Sequence, residues 1–245
     1  MRAIGETAHA LAYIVIANRS YADVYQCGRR TIPLSLAAEI QHWLLPSSLA
    51  CEAALFAVAG ALEPADHVGG DTDYVIDRDT VHLSVTDAMR HDVDAALLAT
   101  LLVSAMRRAR RASAGLAEQA RQADEAMCEH GRHGYVTGQL LRISLIDGET
   151  EFINAGHPWP LRMRDGQVRE IAPKIDMPFG FLAPHRYRVQ SPNLRPGDRL
   201  VMLTDGRLEH NADSLDLSNL IMRTRALHPR GTTPRCRGVP ACQPS

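Results

Sequence analysis

The 245 residues are 45% hydrophobic, enough for one core of catalytic-domain size with short flanks. A formal net charge of -1 gives no global attraction to nucleic acid or to an anionic membrane, and neither is expected as a partner. Five cysteines, an odd count without C-x-x-C spacing, argue against a disulfide framework and for a reducing cytoplasm.

In chain order, residues 1–34 contain the apolar run Leu11–Ala17, too short to span a bilayer and flanked by an Arg2 that Glu6 offsets, so it reads as a buried strand rather than a signal peptide. A short helix around Ala22–Cys27 follows. From Ser35 an amphipathic helix carries Leu36, Ile40, Trp43 and Leu44 and stops at Pro46, with Trp43 expected in the core. The Ala-rich segment 51–63, with Leu55, Phe56 and Val58, reads as a buried strand leading to Glu63-Pro64.

The stretch Val68–Asp94 is the most informative. Seven aspartates (71, 73, 77, 79, 87, 92 and 94) fall in it, more than a solvated loop needs. Val81-His82-Leu83-Ser84-Val85 alternates apolar and polar residues, which predicts a half-buried strand with Asp87 just past its end; Arg78-Asp79 is the hairpin turn before it. Asp92 and Asp94 then open an Ala/Leu helix. Two rigidly held carboxylates repel unless a cation lies between them, and hard ions such as Mg²⁺ or Mn²⁺ prefer oxygen ligands. Each aspartate also reads as a turn or cap residue.

The helix ends in Arg107, Arg108, Arg110 and Arg111, a basic cluster that complements its dipole. Leu116–His130 forms a second helix with Ala and Met127 inward. From Tyr135 the period returns to two: Leu141, Ile143 and Leu145 alternate, Asp147-Gly148 turns the chain, and Phe152-Ile153 begins the return strand. Leu161–Arg164 pairs with Gln167–Ile171 across Asp165-Gly166, and Leu200–Leu203 is a further strand delivering Asp205. Strands, two helices and strands again describe an α+β layered sandwich. Residues 221–245 hold five Arg and no acidic residue, and disorder is expected from about Pro229. The chain thus divides into an N-terminal linker or remnant of a longer upstream region, 1–34, a domain, 35–220, and an Arg/Pro-rich tail, 221–245.

Val68-Gly69-Gly70-Asp71, Asp87 with His91 four residues on, Asn154-Ala155-Gly156-His157-Pro158, and Pro196-Gly197-Asp198-Arg199 leading to Thr204-Asp205-Gly206 resemble, in order, the motifs of the SpoIIE branch of the PPM (type 2C) protein phosphatases. Ala37-Ala38-Glu39-Ile40-Gln41 with Leu44-Leu45-Pro46 extends the resemblance, as does Pro178-Phe179-Gly180. The resemblance implies a PPM-type α-β-β-α sandwich and metal-dependent hydrolysis of phosphoserine or phosphothreonine by an activated water. It implies Asp71, Asp87 and Asp205 as metal ligands and catalytic groups, with the Ala88 backbone carbonyl as a further donor, two Mn²⁺ or Mg²⁺ ions, and a phosphorylated anti-sigma-factor antagonist as substrate. Residues 1–34 then follow an upstream sensor domain, the helix that starts at Ser35 couples it to the catalytic domain, and a homodimer is possible.

The chain also departs from the family pattern. Asp73-Tyr74 inverts the family's aromatic-then-Asp order, Arg90 and Asp92 stand where the family has Gly, and no acidic residue follows Asp216 where the family closes with an Asp-Asp strand. The fold is therefore expected to be incomplete at its C-terminal strand. These departures keep open a degenerate or truncated domain that binds its partner without turnover, and an ion-stabilised binding module. His91 and His157 are read as non-ligands, the latter as part of a structural turn.

Overall fold

The computed structural model describes residues 35–45, 50–53, 55–60, 70–77, 79–89, 92–204 and 216–225. The expected strand at Leu11–Ala17, the helix at Ala22–Cys27 and the tail beyond Arg225 lie outside the described residues. Two units are distinguished, Met1–Ser35 with Arg235–Ser245 and Leu36–Pro234; all that follows concerns the second.

Helix α1 (Leu36–Leu44) is followed by the short pair β1 (Ala50–Glu52) and β2 (Ala57–Ala59). Next come β3 (Gly70–Asp77), β4 (Thr80–Ala88), α2 (Asp92–Arg111), α3 (Leu116–His130), β5 (Val136–Ser144) and β6 (Thr150–Ala155). The chain continues with β7 (Leu161–Arg164), β8 (Gln167–Glu170), β9 (Arg199–Val201) and α4 (Leu217–Arg223). The main sheet is antiparallel in the order β3-β4-β5-β6, and a second sheet has the order β8-β7-β9. Asp77 pairs with Thr80 and Asp79 lies in a turn, so the chain reverses where the turn chemistry predicts. Asp165 and Gly166, with φ of 50° and 73°, close β7 onto β8 by the positive-φ turn that Asp-Gly favours.

One face of the main sheet is covered by α2 and α3. Ala95, Ala99, Leu102, Val103 and Met106 from α2 meet Leu116, Ala120, Ala123 and Met127 from α3 over Val136, Leu140 and Ile153. The alanines let the helices approach closely, while each fully buried large side chain such as Leu102 or Ile153 contributes about 1.5–3 kcal/mol. Both Leu140 and Leu141 of β5 are buried, so the centre of the sheet is covered on its two faces.

Three expectations need correction. Trp43 is 73% exposed, and Leu36 is exposed with it; the inward face of α1 is instead Ala37, Gln41 and Leu44. This face packs on α2, where the Arg107 guanidinium donates to the Leu44 carbonyl at 2.6 Å, so part of the basic cluster holds α1 rather than facing water. Segment 51–63 is not one buried strand: β1 and β2 fold back on each other, and Leu55 is exposed between them. Finally, β4 runs through Ala88, so Asp87 is its penultimate residue and not a loop residue beyond it.

Candidate active site

Asp87 is half-buried near the end of β4. The ladder opposes it to Gly70 and opposes Asp71 to Thr86, so residues 71 and 87 occupy diagonal positions on neighbouring strands. On the other side of β4, Ala88 opposes Val136, yet Val136 exchanges both its main-chain bonds with Phe179 (3.0 and 2.9 Å). Ala88 and Val136 are therefore a non-hydrogen-bonded pair, and the Ala88 carbonyl is turned toward the β3 side. By the same alternation the main-chain groups of Asp87 face β5, where its carbonyl accepts a long bond from Thr137 Oγ1 (3.4 Å). Asp87 thus meets Gly70 in the closer type of cross-strand pair.

The period of a ladder places position 71 on the face of position 86, and position 87 on the face of position 70. In this register positions 71 and 87 lie on opposite faces of the sheet.

Beneath the end of β4 lies the Asn154–Pro158 turn. The buried Asn154 side chain accepts from the His157 N–H (2.8 Å) and donates to the His157 carbonyl (2.9 Å), closing the turn on itself. Gly156 has φ 71°, and a Cβ there would stand 2.7 Å from Pro178 Cγ, so glycine is required. The ring Nδ1 of His157 is 3.0 Å from Thr137 Oγ1, the same hydroxyl that reaches Asp87. His157 therefore braces the strand end, and Thr137 is the connecting residue that sequence reading misses. Nothing in its local pattern distinguishes it; only its register opposite Asp87 does.

Asp205 lies outside the described residues, as do Arg90 and His91. The turn that precedes β9 is well pinned: Asp198 accepts from Arg164 Nε (2.8 Å) and Nη2 (2.6 Å) and from the Arg195 N–H (2.9 Å). The Arg164 guanidinium holds the Asp198 carboxyl below the ordinary carboxylate range, against the opposing effect of burial. Among the described residues no group of three or more His, Cys, Asp or Glu converges as an ion cage. Asp87 and the Ala88 carbonyl are consecutive oxygen donors at the end of β4, of the type a hard divalent ion takes.

The family model for Stage II sporulation protein E (SpoIIE) matches residues 77–235, well over half of the chain. The chain belongs to the SpoIIE family. The match includes Asp87, Ala88 and Asp205 and begins after Asp71. Among solved structures, this SpoIIE-family chain is similar to the RsbU and RsbW domains of Rv1364c from Mycobacterium tuberculosis, at 25% identity and TM-score 0.59 over 70% of this chain and 49% of that one. It is also similar to the PP2C phosphatase domain and regulatory-domain fragment of SpoIIE from Bacillus subtilis, at 18% identity and TM-score 0.56 over 66% and 49%. A third similar structure is the PPM Ser-Thr phosphatase MsPP from Mycobacterium smegmatis in complex with cacodylate, at 14% identity and TM-score 0.50 over 68% and 85%. The chain spans about half the length of the first two structures. The fold is that of the PPM phosphatases. No curated protein sequence matches significantly. Among the described residues no helix is long and apolar enough to cross a membrane.

Proposed function

We propose that this chain is a metal-dependent protein Ser/Thr phosphatase acting on a phosphorylated anti-sigma-factor antagonist in the cytoplasm. The observation that carries the reading is the end of β4 in a SpoIIE-family chain: Asp87 beside a glycine, with the next carbonyl turned away from β5. The target follows from the motif resemblance and is supported by the likeness to a chain that carries RsbU and RsbW domains. Residues 35–220 are the catalytic domain on this reading, 1–34 the link to a sensor, and 221–245 an appended tail.

Asp87, Asp205 and the Ala88 carbonyl would hold Mn²⁺ or Mg²⁺, and the motif resemblance adds Asp71 as a further ligand. When bound, a pair of such ions makes water a nucleophile at neutral pH and neutralises the phosphoryl oxygens. The protein's own share is geometric: Thr137 and His157 fix the strand end that carries Asp87, and the Arg164–Asp198 pair fixes the approach to β9. No side-chain nucleophile is needed.

The test is turnover of an aryl phosphate by the full chain while Mn²⁺ is titrated. Hydrolysis that rises with Mn²⁺ and disappears in Asp205→Ala is expected. A rate that ignores the metal overturns the mechanism. A second reading, partner binding without turnover, is favoured by Arg90 and by the lack of acidic residues after Asp216. Capture of the phosphorylated antagonist with no hydrolysis at any metal concentration selects it.

A further inference from the structure

On α3 the carboxylate of Asp124 is fully buried, in a helix whose other polar residues mostly face water. Its Oδ1 accepts from the Gly180 N–H (2.7 Å) and its Oδ2 from the His185 N–H (3.0 Å), with His185 Nδ1 at 3.3 Å. A single side chain thus grips both ends of the 180–185 loop. The grip is close: Gly180 has φ 79°, and a Cβ there would lie 2.8 Å from Met127 Cβ and 2.9 Å from the Gly134 carbonyl. Tyr187 seals the site, its ring 4.9 Å from that of Phe179 and 4.3 Å from that of His185. Burial first, and then the Asp124 carboxylate, push the Tyr187 hydroxyl above its usual range.

The loop matters because of its neighbour. Phe179, next to Gly180, exchanges two main-chain bonds with Val136, and Val136 directly opposes Ala88. One residue further, the Met89 N–H donates to the Tyr135 carbonyl at 3.1 Å. The buried carboxylate is therefore connected to the end of β4 by Gly180, Phe179 and Val136 in succession. We propose that Asp124 is a positioning residue for the site: by clamping the 180–185 loop to α3 it holds Val136, and through it the Asp87–Ala88 end of β4, in the arrangement that receives the metal. This rests on the phosphatase reading above. Asp124 itself touches neither ion nor substrate.

The test uses the full chain as wild type, Asp124→Ala, Asp124→Asn and, as a control at the N-terminal end of α3, Leu116→Ala. Two quantities are read: Mn²⁺ affinity from the electron paramagnetic resonance signal of the free ion, and hydrogen exchange of the Met89 and Val136 amides without metal. Asp124→Ala is expected to weaken Mn²⁺ binding about tenfold, the low end for groups that orient metal ligands indirectly, and to speed exchange at both amides. Asp124→Asn falls between, because its one carbonyl oxygen can serve only one of the two N–H groups. It decides the matter if the alanine variant does not fold. Leu116→Ala loses melting temperature without either change. Unchanged affinity and exchange in the Asp124 variants, or equal changes in Leu116→Ala, overturn the inference. A wild type that binds no Mn²⁺ defeats the phosphatase reading instead, and the exchange measurement then judges the positioning role alone.

Discussion

Replacing Asn154 by Ala deletes a side chain that is fully buried and makes two hydrogen bonds to the backbone of His157, at 2.8 and 2.9 Å. The variant leaves one N–H and one carbonyl of His157 without these partners in a site closed to solvent. Each unsatisfied buried group costs about 1–3 kcal/mol. A water entering the vacated space recovers part of this, so the expected loss is about 3 kcal/mol. For a chain of this size that corresponds to a fall in melting temperature of roughly 6–12 °C. Urea denaturation followed by circular dichroism gives the free energy directly. The same samples assayed for Mn²⁺-dependent hydrolysis should lose activity disproportionately, because the His157 ring reaches Asp87 through Thr137. A denaturation free energy within 0.5 kcal/mol of wild type, a difference of about the size that neutral surface substitutions give, would refute this account of the turn.

Gly180→Ala must adopt a φ of 79° with its new Cβ against Met127 Cβ and the Gly134 carbonyl, neither of which is a flexible chain end, so a loss of about 2–4 kcal/mol by denaturant titration is expected. Acid stability should respond to Asp198, whose carboxyl Arg164 holds below the ordinary range. Because the folded value lies below the unfolded one near 3.9, the stabilisation is complete above about pH 5 and drains away as pH falls through the folded value. Asp198→Asn should therefore cost about 2 kcal/mol at pH 7 and little at pH 2, measured as the difference between the two pH–stability curves.

The hairpin of β3 and β4, the long helix α2 and the β7–β8 pair were legible because each depends on local chemistry. Period-two alternation, acidic residues at a helix start and Asp-Gly at a turn act over a few residues, whatever surrounds them. Trp43 and Leu55 were misplaced for the opposite reason. Residue type sets a preference for burial, but the choice between two faces of α1 is made by α2, which receives Ala37, Gln41 and Leu44 and leaves Trp43 outside. Asp124 was invisible because a carboxylate on a helix with many polar residues has no local mark; its burial depends on a loop 56 residues away in the chain.

By itself the chain's order of residues determined most of the element types and the family motifs. Only the tertiary structure decided that Asp87 faces a glycine, that the Ala88 carbonyl turns from β5, and that Asp71 stands one register step away. The reason is physical: propensity and motif are properties of short segments, whereas register, facing and burial come from main-chain bonds between strands and loops brought together only when the whole domain packs.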